Sequence, residues 1–126
     1  MKKKVVTPKG MAKPTGYSPA VRAGNLLFIS GQIAEDQNGQ IVGKGDFEKQ
    51  TRQVFENIRA ILEAEGGTFD NLVKIKIHLT DMKNLGKFRE IRGEYLKGDF
   101  PASTLIGVTR LVMKELMIEI DAIAAF

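Results

Sequence analysis

Glu119 and Asp121 lie two residues apart in the run Ile118-Glu119-Ile120-Asp121-Ala122-Ile123, so an extended backbone puts both carboxylates on one face. A carboxylate beside a water molecule can take its proton or aim it for attack, which makes Glu119 a candidate base. The same alternation also describes an ordinary strand whose polar face meets solvent. Tyr17 sits in the loop Gly16-Tyr17-Ser18-Pro19, either as the wall of a pocket or as a ring that packs the loop onto a sheet. Ser30-Gly31-Gln32 closes the apolar stretch that begins at Leu26. A glycine there lets a ligand approach backbone N–H and C=O groups, or marks a bulge. Arg89 and Arg92 stand three apart in Phe88-Arg89-Glu90-Ile91-Arg92, at the edge of an amphipathic helix. Such cations either extend into water or hold an anion.

Other chemistries lack their residues. His78 is the single histidine and there is no cysteine, so no metal site, thiol nucleophile or disulfide framework is expected, and no cofactor. His78, between Lys76 and Thr80, reads as a surface residue. No phosphate loop or dinucleotide motif occurs. The formal charge is +4, but Lys2, Lys3 and Lys4 supply three of those charges, so the basicity is a tail rather than a face. Without tryptophan or aromatics interleaved with basic residues, nucleic acid is an unlikely partner by composition. No apolar run approaches the ~18 residues of a membrane span. Pro8, Lys9 and Gly10 interrupt the basic start, so it does not read as a signal peptide, and a cytoplasmic location is expected.

The elements that must position these residues follow from periodicity. The length of 126 residues suits one domain, with residues 1–11 a loosely attached N-terminal segment. Ala20-Val21-Arg22 and Leu26–Ser30 read as strands, and Asn38-Gly39 as a hairpin turn returning through Gln40-Ile41-Val42. Asp46 caps a helix carrying Phe47, Val54, Phe55, Ile58, Ile61 and Leu62 inward, and Gly66-Gly67 stops it. Residues 72–80 alternate, with Val73, Ile75, Ile77 and Leu79 on one face and Lys74, Lys76, His78 and Thr80 on the other. Asn84 caps a second helix with Leu85, Phe88, Ile91, Tyr95 and Leu96 inside, ended by Gly98. Residues 104–109 and 116–124 supply the last strands. The class is α+β: a single mixed sheet of about six strands with two helices on one face, in the order β-β-β-α-β-α-β-β. The other face stays uncovered. On the last strand it carries either Ile118, Ile120, Ala122 and Ala124 or Met117, Glu119, Asp121 and Ile123; both choices expose apolar surface and call for self-association.

Taken together, Gly16-Tyr17-Ser18, Phe28–Ile33, Pro101-Ala102-Ser103-Thr104 and Ile118–Ala124 make residues 12 to 125 resemble the reactive-intermediate deaminase (Rid, or YjgF) family. The resemblance implies a chorismate-mutase-like fold and a homotrimer with pockets between subunits. It also implies cofactor-independent hydrolysis of a small enamine or imine metabolite to ammonia and a carbonyl compound. By the same resemblance Glu119 and Tyr17 are catalytic, and Ser30, Gly31, Ser103 and Thr104 border the substrate. The chain departs from the family pattern at Ser103, where an arginine directly after Pro-Ala normally grips a carboxylate. Arg89 aligns without gaps on a pocket-side asparagine, which makes it, or Arg92, the candidate replacement. The Gly16-Tyr17-Ser18 loop is also one residue shorter than the usual form. The alternatives are a non-catalytic metabolite-binding trimer and, less supported, a ribonuclease or translation inhibitor, which would need a basic groove.

Overall fold

The computed structural model describes residues 2–126 as one six-stranded sheet with two helices packed on one face. The elements are β1 (Lys3–Val6), β2 (Ala20–Ala23), β3 (Leu26–Gln32), α1 (Phe47–Ala64), β4 (Leu72–Leu79), α2 (Leu85–Tyr95), β5 (Ala102–Gly107) and β6 (Ile118–Ala125). The strand order is β1-β2-β3-β6-β4-β5, and only β4 and β5 run parallel, because α2 carries the chain between them. The α+β class and the order of strands and helices are as the periodicity predicts.

Asp46 caps α1, its carboxylate accepting from the Lys49 N–H at 3.0 Å. Gly66, at φ +75°, turns the chain out of that helix, and the Gly67 N–H donates to the Leu62 carbonyl at 2.8 Å. Val54, Phe55, Ile58, Ile61 and Leu62 are buried against the sheet, which contributes Leu27, Ile29, Ile75, Ile77, Ile118 and Ile120. Phe55 stacks on Tyr95 with ring centroids 4.6 Å apart, and thereby ties α1 to α2. The wholly buried Gln50 is the polar rivet. Its amide donates to the carbonyls of Gly43 (3.1 Å) and Glu115 (2.9 Å) and accepts from the Met117 N–H (2.8 Å), which fixes the entry to β6.

Four local expectations are corrected. The 1–11 segment is not loose throughout: Met1 lies outside the described residues, but Lys3–Val6 pairs antiparallel with β2 and buries Val6. Lysines on a short edge strand repel a further strand, so what reads as a tail is a guarded edge. Gln40-Ile41-Val42 is no strand, since only Ile41 bridges to Glu35; β1 takes the third place in the leading trio. In β4 a register shift between Leu72 and Lys74 buries Leu72 and leaves Val73 exposed. Asn84 makes no side-chain cap. The capping carboxylate is Asp81, which accepts from the Lys83 N–H at 2.9 Å and starts the short turn that leads into α2.

The register left open for β6 is resolved. Ile118, Ile120, Ala122 and Ala124 face the helices and are buried, so Glu119, Asp121 and Ile123 lie on the helix-free face.

Candidate functional site

A bulge in β3 makes the site. Ile29 pairs with Ala122 and Gln32 with Ile120, so two residues, Ser30 and Gly31, stand opposite the single Asp121. The extra residue returns Gln32 to the buried side and brings the Gly31 backbone against the Glu119 side chain. A methyl group on Gly31 would lie 2.6 Å from Glu119 Oε2 and 2.8 Å from its carboxyl carbon. Glycine is therefore required here for clearance, not for its dihedral freedom. Burial raises the proton affinity of the Glu119 carboxyl, His78 offsets this in part, and Asp121 adds to it.

Ser30 serves this arrangement from behind. Its N–H donates to the Pro19 carbonyl at 2.9 Å and its hydroxyl to the Ser18 carbonyl at 2.6 Å. The loop bearing Tyr17 is thus stapled to the bulge, while Tyr17 itself is 60% exposed rather than packed on the sheet. Tyr17 and Gly31 line one wall of a cavity of about 340 Å³ that also meets Lys9, Glu35, Gln53 and Asn57. Asn57 shapes it, donating at 3.1 Å to the carbonyls of both Ile33 and Glu35. Burial, then the neighbouring Asp36, raise the proton affinity of Glu35.

Arg89 and Ser103 occur together in a second cavity of about 610 Å³, between α2 and β5. Arg92 and Lys97 also border it, over a floor that includes Ile75, Leu96, Phe100 and Pro101. Three cations and no acid stand in its lining, which gives the cavity a positive potential. Ser103 pairs with Ile75 on the helix side of the sheet, whereas Thr104 pairs with Lys76 on the opposite face and accepts from Lys74 Nζ at 2.7 Å. Thr104 is therefore not a neighbour of Ser103 in the cavity.

Within one chain the sites expected from the sequence form two groups. Gly31 and Tyr17 share the smaller cavity, Ser30 holds the Tyr17 loop, and Glu119 meets Gly31 without lining that cavity; Arg89 and Ser103 gather in the cationic cavity. No metal-holding group of three or more His, Asp or Glu side chains occurs among the described residues. The residue the sequence undervalues is His78, directly across from Glu119 in the β4–β6 register, its side chain only 15% exposed. Its alternation with Lys76 and Thr80 signalled a polar face, but not which strand that face adjoins.

Known proteins share this arrangement of elements over their whole length. A RutC family protein of Pyrococcus horikoshii is 47% identical over 124 residues, covering 97% of each chain. The crystal structure of YyfA from Yersinia pestis, a conserved Rid family protein described as of unknown function, superposes with a TM-score of 0.93 at 38% identity, covering 99% of this chain and 100% of that one. E. coli TdcF, crystallised with bound serine, gives a TM-score of 0.87 at 28% identity over 98% of each chain. The family model described as "Endoribonuclease L-PSP" matches residues 8–126. With the bulge, the paired elements and this end-to-end similarity in hand, the chain belongs to the Rid (YjgF) family.

Proposed function

We propose that this protein is a cofactor-independent deaminase of a small, anionic enamine or imine, assembled as a homotrimer in the cytoplasm. The observation that carries the reading is the half-buried Glu119 carboxyl laid on the Gly31 backbone with its proton affinity raised, which suits a group that exchanges protons with water. The Glu119 carboxylate takes a proton from water as the water oxygen bonds to the C=N carbon. The nitrogen gains that proton, which gives a carbinolamine; the carboxylate then relays the hydroxyl proton to the nitrogen as the C–N bond breaks, so that ammonia leaves as the C=O bond forms. Tyr17, on its stapled loop, closes over the reacting group.

The trimer brings the two groups of residues together, with the bulge of one chain facing the cationic cavity of the next. Arg89 then supplies the anion contact that Ser103 cannot make, because a hydroxyl offers one donor where a guanidinium offers a fork. Serine bound in E. coli TdcF supports an amino-acid-sized occupant. The test is imine hydrolysis measured on imino acids generated in solution by an amino-acid oxidase. Glu119→Gln should lower kcat by about 10²–10⁴-fold. Unchanged turnover in that variant overturns the assignment of Glu119.

Ser103 favours a second reading, a trimer that binds such metabolites without turning them over. Saturable binding of a small carboxylate with no acceleration of imine hydrolysis selects it. The ribonuclease function in the family description is not adopted, because the cations that cluster here surround an apolar floor suited to one small anion.

A further inference from the structure

Glu119 has a neighbour that the hydrolytic scheme leaves unused. His78 and Glu119 are direct cross-strand partners, and His78 Nδ1 lies 3.1 Å from the Glu119 carbonyl oxygen. A carbonyl only accepts, so Nδ1 carries a proton. Nε2 lies 3.9 Å from Asp121 Oδ2. The imidazole is thereby anchored at one nitrogen, near a carboxylate at the other, and held beside the strand that carries the candidate base.

We infer that His78 is a positioning residue for Glu119, anchored on the β6 backbone and governing the pH at which the Glu119 carboxyl ionises. The inference deepens the deaminase reading, but its physical core stands apart from any turnover. The charged or titratable groups facing this part of the sheet are few. β6 contributes Asp121, and β4 contributes His78 and Lys76, the cross-strand partner of Asp121. β3 contributes the uncharged Ser30 and Gly31, and β5 the uncharged Thr104 and Ile106. Asp121 opposes ionisation of Glu119, and the imidazolium favours it. His78 therefore works against burial and Asp121 and favours the ionised carboxyl that serves as base.

The experiment is a carboxyl-carbon NMR titration of the full chain, with the Glu119 resonance identified by its absence in Glu119→Gln. In His78→Gln, which keeps an N–H donor but loses the charge, the Glu119 inflection should move to higher pH. In His78→Lys, which keeps a charge, that upward move should be largely suppressed. An inflection at the same pH in wild type and His78→Gln overturns the inference. Should His78→Gln fail to fold, the wild-type imidazole decides. Its ring-carbon resonance should show a second inflection at the Glu119 step, and a single-site curve overturns the coupling.

Turnover is a separate readout. On imino acids generated by the oxidase, His78→Gln should lose kcat/KM on the acid side of the pH profile while staying within about twofold of wild type on its alkaline side, where Glu119 is ionised in both. A uniform loss across the range marks a merely structural role and overturns the inference. An NMR shift in a protein that hydrolyses no imine leaves the His78 coupling standing and removes the deaminase reading.

Discussion

Gly31 and Glu119 define each other: the carboxyl occupies the space a Cβ would take. Gly31→Ala should therefore cost about 1–3 kcal/mol of stability, or displace the carboxyl and lose activity with the fold intact. Melting curves and turnover separate these outcomes, and a variant unchanged in both contradicts the contact. Glu119 also sets a pH dependence. Its proton is held more tightly in the folded chain than in the unfolded one, so the folded state binds more protons through that range. Stability attributable to this group accordingly falls as pH rises from below the ordinary carboxylate value to above the raised one, and Glu35 acts in the same direction. Glu119→Gln should melt higher than wild type at about pH 7, with the gain fading at about pH 4, where wild type is itself protonated. An equal difference at both values would contradict the sign. The sequence exposes the types of these residues but not their contact, because a bulge is invisible until two strands are aligned. Ser30 illustrates this: the family resemblance implies a substrate neighbour, and the structure shows its hydroxyl holding the Tyr17 loop.

At the level of elements, the helices are legible because caps and stops are local chemistry, as Asp46 and Gly66 demonstrate. Pairings between distant segments are less so. Val73 follows the alternation of β4, yet it is turned outward by a register shift that depends on β6. β1 is concealed by its lysines, which look like a solvated tail and work as edge protection. Lys4 Nζ reaches Glu65 at 2.9 Å and Arg22 Nη1 reaches the same carboxylate at 3.5 Å, so β1 also helps neutralise a side chain only 6% exposed. Removing residues 1–6 should lower stability by about 1–3 kcal/mol in a denaturant titration, against the indifference expected of a free tail. Gln50 makes a sharper case. Gln50→Ala leaves the Gly43 and Glu115 carbonyls and the Met117 N–H without their buried partner, at a cost of about 3 kcal/mol or more. A midpoint within error of wild type would mean that water replaces the amide.

The whole molecule leaves the helix-free face of its sheet to be covered. Phe28 is 43% exposed and pairs with Val21 on one side and Ile123 on the other, so an apolar band crosses β2, β3 and β6. Composition and element order predicted that such a face must exist; only the register of β6 says that Ile123, rather than Ile120, belongs to it. Ile123→Asp should therefore yield a folded monomer, whereas Ile120→Asp should disrupt the chain itself by placing a charge in the helix-side core. Centrifugation of wild type should give three times the 13.9 kDa of one chain. In the proposed reading assembly also completes the chemistry, and that can be tested without a structure of the trimer. If the base and the anion anchor of one site come from different chains, Glu119→Gln and Arg89→Ala trimers are each defective for a different reason. In mixed trimers a site is whole when its bulge comes from an Arg89→Ala chain and its cationic cavity from a Glu119→Gln chain. Random mixing in equal amounts makes about one site in four whole, so unfolding and refolding the two variants together should restore about a quarter of wild-type turnover. Refolding each alone should restore none. No recovery in a mixture proven to contain hybrid trimers would mean that Arg89 and Glu119 act within a single chain or that Arg89 holds no substrate. Recovery to that fraction ties the arginine on α2 to the glutamate on β6 across the subunit boundary.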